Sequence, residues 1–502
     1  MTAPTSHPET ASEQAWLAQV RPDGWPEPAS GSFDLVVIGG GTAGLVTAMG
    51  AAGLGARVAL VERHRLGGDC LNTGCVPSKA LLASAAVIRH ARQAARFGVR
   101  VASVEPEFPA VMARLRAVRA DLARHDAAAR LASAGVRVMF GDGRFASPDT
   151  LQVGAATLRF RRAVIATGTS PVVPPVPGLA ELGPLTTDTL FDLQTCPARL
   201  LIIGAGPVGC EMAQAFAAFG SAVTLVEAAS QVLPREDPDA ASTLAARLVA
   251  EGVTLALGAS LTQASRDGGT DTCHVRWTHD GQETVWTGEA VLVAAGRVAN
   301  LDSLGLSAAG VTVDDAGLRV DARLRTSNRR IFAAGDVASP WRFTHAADAT
   351  ARLVVQNALF FGRRSVGQLV VPRCTWTDPE VAHVGAGPEE AARAGLSVVT
   401  VPMADVDRAV LDEATAGFVR LYHRRGRVTG ATLVGRHAGE LVTLMTHHIQ
   451  RGGTLADLSG TLAPYPAYAD ALRKCGDAWQ RTRLTPGVRR MFARYLAVWR
   501  RF

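Results

Sequence analysis

Two cysteines, Cys70 and Cys75, stand in the run Gly67-Gly68-Asp69-Cys70-Leu71-Asn72-Thr73-Gly74-Cys75-Val76-Pro77-Ser78-Lys79. Two thiols at this spacing can make and break a disulfide. Pro77 suits the first position of a helix, where its missing N–H would have no intrahelical partner anyway. The free N–H groups and positive dipole end of that helix would stabilise a thiolate and make it reactive. Lys79 adds an ammonium one turn further in. It is one of two lysines, with Lys474, among 52 Lys and Arg residues, so a compact cation is expected to be needed there. Cys196, Cys210, Cys273 and Cys374 are scattered and read as packing residues, and Cys475 is unpaired in sequence.

The elements that must position this pair are legible upstream. Phe33-Asp34-Leu35-Val36-Val37-Ile38 has the length and β-branched content of a buried parallel strand. Gly39-Gly40-Gly41-Thr42-Ala43-Gly44 then opens a helical stretch, and Arg57-Val58-Ala59-Leu60-Val61-Glu62 reads as a second strand ending in an acid. Gly39, Gly41 and Gly44 permit a tight turn and close approach of backbone to a pyrophosphate, and Glu62 can take a ribose hydroxyl. The pattern recurs. Leu200-Leu201-Ile202-Ile203 leads into Gly204-Ala205-Gly206-Pro207-Val208-Gly209, and Ala222-Val223-Thr224-Leu225-Val226-Glu227 closes the second copy. Gly204, Gly206, Gly209 and Glu227 stand at one constant offset from their counterparts, which marks a domain duplication. Two such units around a cysteine pair imply two dinucleotides, one held and one exchanged.

A chain of 502 residues leads us to expect about three domains. With 48% hydrophobic and 19% charged residues it reads as globular, and its net charge of +7 is modest and interspersed. No basic repeat or aromatic platform points to nucleic acid. The Arg-rich helical stretch 111–134 also carries Asp121 and Asp126 and reads as a solvated face. Seven cysteines are too few for a secreted disulfide scaffold. Residues 1–32 read as a flexible lead-in with one short helix around 13–20, not a signal peptide. No membrane-spanning apolar run is expected, and the cytoplasm is the expected compartment.

These motifs together resemble the FAD-dependent pyridine nucleotide-disulfide oxidoreductases, the family of glutathione reductase, dihydrolipoamide dehydrogenase and mercuric reductase. The resemblance covers about residues 33–480. Ala166-Thr167-Gly168 is similar to the family's crossover between nucleotide domains. Ile331-Phe332-Ala333-Ala334-Gly335-Asp336 is similar to its second FAD motif, and Ala294-Ala295-Gly296-Arg297 to the exit from the NAD domain, with Ala299 where a Pro is usual. Thr375-Trp376-Thr377-Asp378-Pro379-Glu380 is similar to the start of its dimerisation domain.

The resemblance implies an α/β fold with two Rossmann-like domains, for FAD and NAD(P), and an α+β C-terminal dimerisation domain. The expected boundaries are 33–180 with 301–366 for FAD, 181–300 for NAD(P), 367–480 for dimerisation and 481–502 for a tail. FAD would be held by Gly39, Gly41, Gly44, Glu62, Lys79, Gly143, Thr167, Gly168, Asp336 and His345. NAD(P)H would be held by Gly204, Gly206, Gly209, Glu227 and Gly296. Electrons would pass from NAD(P)H through flavin to the Cys70–Cys75 disulfide. Cys75 would be the thiolate against the flavin, Cys70 would meet substrate, and Lys79 would pair with Glu211. Glu227 favours NADH over NADPH, since a carboxylate repels a 2′-phosphate; Arg235 is the residue that would favour NADPH. A homodimer is expected.

One departure bears on substrate. In Leu462-Ala463-Pro464-Tyr465-Pro466-Ala467-Tyr468-Ala469-Asp470, the family's disulfide reductases carry a His and a Glu where this chain has Tyr465 and Asp470. Tyrosine, with pKa about 10, is a poor base near neutrality. A Tyr here is similar to mercuric reductases, so a soft metal ion such as Hg(II) on Cys70 and Cys75, or a small electrophile, is the expected substrate. The C-terminal cysteine pair of those enzymes is missing. A dihydrolipoamide- or disulfide-type dehydrogenase is the alternative, and an electron donor to a membrane partner is a third reading. In the tail, Val488, Met491, Phe492, Tyr495, Trp499 and Phe502 share one helical face opposite arginines, a pattern that either docks on its own protein or lies on an anionic membrane.

Overall fold

The computed structural model describes residues 10–268, 270, 272–314 and 317–501; residues 1–9 of the lead-in and Phe502 of the tail lie outside the described residues. The chain forms two compact units. The first comprises residues up to 204 with 215–224 and 260–369, and the second 205–214, 225–259 and 370 onward.

In the first unit the apolar run after the lead-in forms the strand Gly31–Ile38. It pairs in parallel with Val58–Glu62 on one side and Ala156–Ile165 on the other. Val136–Phe140 extends the sheet beyond Val58–Glu62, and Ile331–Ala333 also runs parallel to Ala156–Ile165. Thr150–Val153 and Gly143–Ser147 complete it antiparallel. Every residue of Val58–Glu62 is buried, which is why a parallel strand covered on both faces reads as an uninterrupted apolar run. The helix Thr42–Gly53 packs beside Thr344–Leu359, and Ala43, Ala48, Ala51, Ala347 and Ala351 share its core. Elsewhere in this unit Arg199–Ile203 runs parallel to Ala290–Val293, and Thr169–Pro171 pairs antiparallel with Arg297–Ala299. The second pairing sets the two expected interdomain crossings side by side.

The second unit is built on a five-stranded antiparallel sheet in the order Arg373–Thr375, Glu380–Gly385, Arg427–Gly435, Phe418–Arg424, Ser397–Pro402. Alternating side chains such as Val419, Leu421, Ala431 and Leu433 enter one core with Leu441, Met445 and Leu472 from the covering helices. Asp237, at the head of the helix Pro238–Ala250, is buried and accepts hydrogen bonds from Arg420 (2.9 and 2.7 Å) and Tyr422 (2.8 Å).

Four expectations are corrected. The N-terminal helix, Ala11–Val20, is not part of a loose lead-in, because Trp16 and Val20 are buried in the first unit's core. The Arg-rich stretch 111–134 is not one solvated helix. It breaks into Phe108–Ala123, a short 3₁₀ turn and Ala128–Ser133, and Arg116 and Arg119 are only 5% and 3% exposed. The helix after the redox run starts at Cys75, two residues before Pro77; the third N–H of a helix also lacks an intrahelical partner, so proline is tolerated there. Finally, Gly68–Phe97 is apolar enough by length and composition to cross a bilayer, yet it buries Leu71, Leu81, Leu82 and Ile88 in the protein.

Candidate active site

The first glycine-rich turn is shaped by what cannot fit in it. Gly39 has φ +106°, and a Cβ there would meet the Ala166 carbonyl oxygen at 2.3 Å. A Cβ on Gly44 would lie 1.8 Å from the Gly39 carbonyl oxygen. Gly41 caps the helix Thr42–Gly53 without any side-chain hydrogen bond, which leaves first-turn N–H groups for a ligand. Glu62 is buried and accepts the Gly40 N–H at 2.6 Å and the His64 N–H at 2.6 Å.

The second turn repeats this at the level of single hydrogen bonds. Glu227 accepts the Ala205 N–H at 2.7 Å and the Ala229 N–H at 2.9 Å, the counterparts of Gly40 and His64. Gly204 has φ +102° and abuts the Ala294 carbonyl as Gly39 abuts Ala166. Arg235 is exposed, two residues past Leu233, whose N–H returns to the Ala205 carbonyl at 2.8 Å. Gly206 and Gly209 lie at the start of the helix Pro207–Phe219, and Gly296 has φ +136° just before Arg297.

The cysteines sit beside the first turn. The Gly67 N–H donates to the Gly40 carbonyl at 2.8 Å, and Gly68 approaches Gly41 so closely that a Cβ would stand 2.6 Å from its Cα. Cys70 is half-buried and Cys75 exposed, both as thiols. The Cys70 thiol is hydrogen-bonded to Cys75, and this bond together with burial pushes the Cys70 pKa well up. Cys75 occupies the first position of a helix with no side-chain cap. Thr344 Oγ1 lies 3.3 Å from Cys75 Sγ.

Further side chains complete the surroundings. Gly335 (φ +76°) closes on Ala43 and donates its N–H to Thr350 at 3.1 Å, which brings the Asp336 motif onto the first nucleotide helix. Burial pushes the Asp336 carboxyl up, opposed by the guanidiniums of Arg297 and Arg342 and by Thr169. Arg297 donates to Thr169 Oγ1 at 2.8 Å and its carbonyl at 2.7 Å, and is ion-paired with Asp69, the residue before Cys70. Thr167 donates to the Asn300 carbonyl at 2.7 Å, and Gly168 (φ +65°) accepts the Asn300 N–H. Gly143 lies where a side chain would meet Val61 and Ile38 at the strand ends. Lys79 is half-buried on the cysteine helix, and His345 is exposed and stacked on Phe343 (centroids 5.4 Å). A bare glycine turn over a buried acid, open helix N–H groups and a half-buried carboxylate at Asp336 fit an adenine dinucleotide. Sequence reasoning missed Thr344, Asp69 and the part Arg297 plays. Their links span hundreds of residues, and only the position of Thr344 beside His345 was a signal.

In the second unit Glu211 is 3% exposed and accepts the Trp376 N–H at 2.9 Å. Tyr465 is 76% exposed, and its hydroxyl donates to Asp407 at 2.9 Å. Asp470 is engaged elsewhere, by Arg473 (2.8 Å) and Lys474 (3.6 Å). The Tyr465 pKa is raised chiefly by the hydrogen bond to the Asp407 carboxylate and its charge, and Asp470 adds a smaller push in the same direction.

Residues 33–351 match the model of the pyridine nucleotide-disulphide oxidoreductases, and residues 371–475 match that family's dimerisation domain. This chain belongs to that family. It is similar to the mercuric reductase of Streptomyces lividans, 35% identical over 452 residues, 88% of this chain and 95% of that one. It is also similar to the dihydrolipoyl dehydrogenase of Chlamydia muridarum (strain MoPn / Nigg), 31% identical over 88% of this chain and 95% of that one. Among solved structures, the HOCl-induced flavoprotein disulfide reductase RclA from Escherichia coli matches with TM-score 0.79 and 30% identity, over 88% of this chain and 99% of that chain. Its Cu(II) complex matches with TM-score 0.79 and 29% identity, over 89% and 99%. The protein is therefore an FAD-dependent oxidoreductase that uses NAD(P)H, with a disulfide redox centre and a dimerisation domain that supports a homodimer.

Proposed function

We propose that this protein is an NADH-dependent reductase whose Cys70–Cys75 pair delivers electrons to a soft metal ion. The observation that carries the reading is the pairing of these thiols beside the first nucleotide turn, together with a proton-holding Tyr465 where a base would serve disulfide exchange. The FAD supplies acceptance of a hydride and onward transfer of its electrons to the disulfide. Gly39, Gly41, Gly44 and Glu62 would hold its adenosine diphosphate part, and Asp336, Thr167, Gly168, Gly143 and His345 would line the remainder. Lys79 would supply a fixed positive charge and Glu211 a buried negative one. Cys75, exposed at an uncapped helix start, is the thiolate, and Cys70 keeps a proton until exchange removes it.

Soft thiolates bind Hg(II) strongly. One hydride then supplies the two electrons that take Hg(II) to Hg(0), and one proton is released. The Cu(II) complex of RclA means that a structurally similar protein binds a transition-metal ion, which supports a metal ion as substrate here. Glu227 supports NADH: a carboxylate at the end of the strand Ala222–Glu227 would accept a ribose hydroxyl and repel a 2′-phosphate. The test is steady-state oxidation of NADH and NADPH with Hg(II), Cu(II), lipoamide or glutathione disulfide. Metal-dependent turnover with NADH preferred supports the reading; lipoamide turnover exceeding it puts the disulfide dehydrogenase first.

The tail favours a second, compatible role. The helix Pro486–Trp499 buries none of its residues, and Met491, Phe492, Tyr495, Leu496, Val498 and Trp499 remain exposed on one face. Arg481, Arg483, Arg489, Arg490, Arg494, Arg500 and Arg501 surround it with no acid after Asp477. An aromatic face flanked only by arginines complements an anionic bilayer surface.

A further inference from the structure

The helix Ala11–Val20 precedes the matched family region, 33–351, yet it reaches the redox turn. It is built to persist: Thr10 and Glu13 form a reciprocal cap, with the Thr10 N–H on Glu13 at 2.9 Å and the Glu13 N–H on Thr10 Oγ1 at 3.3 Å. Trp16 is 5% exposed, and its indole N–H donates to Asn72 Oδ1 at 3.0 Å. Asn72 lies between the two cysteines and is itself buried. Its amide donates to the carbonyls of Leu66 (3.0 Å) and Gly68 (2.9 Å), and its own carbonyl accepts from Arg119 at 3.3 Å. The guanidiniums of Arg119 and Arg65 lie 3.9 and 4.5 Å from the Trp16 ring centroid. Burial pulls the Arg119 pKa down to about 10, opposed by the Asp192 carboxylate. The next residues add backbone ties: Leu66 N–H to the Val20 carbonyl at 3.1 Å, and Arg21 to the carbonyls of Arg63 (2.7 Å) and His64 (2.6 Å).

We propose that Trp16 is a positioning residue for the redox pair, and that the N-terminal helix is a brace holding the turn 63–72 so that Cys70 and Cys75 stay within exchange distance. The proposal rests on the reading that these two cysteines cycle. The turn needs such a hold. Gly67 and Gly68 both adopt positive φ, and glycine-rich segments lose much conformational freedom when ordered. With the turn that carries Cys70 fixed beside the helix that starts at Cys75, the two thiols have a high effective concentration toward each other, which favours the disulfide; with the turn loosened they do not. Loosening the brace therefore makes the disulfide easier to reduce.

The test is equilibration of the full-length holoenzyme in anaerobic glutathione buffers, followed by alkylation and a count of thiols at Cys70 and Cys75. In this exchange two glutathione thiols give two electrons and two protons to the protein disulfide, whose S–S bond breaks, and leave as glutathione disulfide. Trp16→Phe keeps a ring for both guanidiniums but removes the N–H. The midpoint is expected to move about ten-fold toward easier reduction, the factor that goes with losing one buried hydrogen bond of ordinary strength. Arg21→Gln, at an exposed position, is expected to move it the same way by less. FAD content and unfolding midpoint report whether each variant remains folded. Midpoints of both variants equal to the native one would overturn the brace. A native protein whose Cys70 and Cys75 never change with the buffer would instead overturn the redox-pair reading beneath it.

Discussion

Replacing Tyr465 by histidine is expected to raise this protein's lipoamide activity, and the native level is itself expected to be very low. The Tyr465 hydroxyl donates to Asp407 at 2.9 Å, and that carboxylate raises the tyrosine's pKa further. From an ordinary value near 10, less than about one molecule in a thousand is ionised at pH 7. Dithiol–disulfide exchange draws on general-base help worth roughly 10²–10⁴-fold, and Tyr465 supplies almost none of it. An imidazole, with an ordinary pKa of about 6.5, is mostly in its base form at pH 7.5. At position 465 it would find Asp407 as the carboxylate that orients it. Lipoamide-dependent NADH oxidation is expected to rise at least about ten-fold in kcat/KM, the lower part of the general-base range because the site was not shaped for imidazole. The carboxylate favours imidazolium, so the gain should appear as pH climbs through a value above the ordinary histidine pKa. Adding Asp407→Asn should remove part of the gain and move that rise to lower pH. Hg(II)-dependent oxidation should not benefit. A robust native lipoamide rate that Tyr465→Phe leaves intact would refute the reasoning, because another base would then serve the site.

Cys70→Ser should show a long-wavelength absorbance band in the unreduced holoenzyme and Cys75→Ser none in any state; the reverse would exchange the roles of the two thiols. His383 is 2% exposed, bonded to Thr432 (3.0 Å) and the Gly385 carbonyl (2.9 Å), and burial pulls its pKa down to about 4. The unfolded chain then takes up this proton near pH 6.5 and the folded one only near 4, so stability present above pH 6.5 falls as pH drops, by about 3 kcal/mol at pH 4. Denaturant titrations of native protein and His383→Gln should show a shallower acid loss in the variant, and identical slopes would refute the assignment. The native protein should sediment with phosphatidylglycerol vesicles but not phosphatidylcholine ones, and Phe492→Ser with Trp499→Ser should abolish this. Indifference to anionic vesicles would sink the membrane role, and concentration-dependent association lost in the same variant would point to a second copy of the chain.

The parts legible from sequence were those whose cause is local. Gly39 and Gly44 declare themselves because the backbone contacts that exclude a side chain come from neighbours in the same strand–turn–helix unit or its sheet, and Cys70 and Cys75 because their chemistry needs a short spacing. Arg116 and Arg119 misled because helical periodicity shows which residues share a face but not what covers it; the cover is the N-terminal helix, Glu13 beside Arg116 and Trp16 against Arg119, about a hundred residues earlier. Asp407 was missed for the same reason, since its link to Tyr465 crosses 58 positions. Arg297 was quoted only as motif, yet its guanidinium ties the exit strand to Asp69 across 228 positions.

The twin use of Glu62 and Glu227 bears on any attempt to re-engineer coenzyme choice. Each acid closes its own turn by accepting two backbone N–H groups, so it is a keystone of the loop as well as the proposed reader of the ribose. Exchanging Glu227 for a small or cationic side chain to admit a 2′-phosphate would leave the Ala205 and Ala229 N–H groups without their acceptor. A variant that accepts NADPH would have to restore that acceptor from a neighbouring position, which makes coenzyme switching here a two-site change at the least.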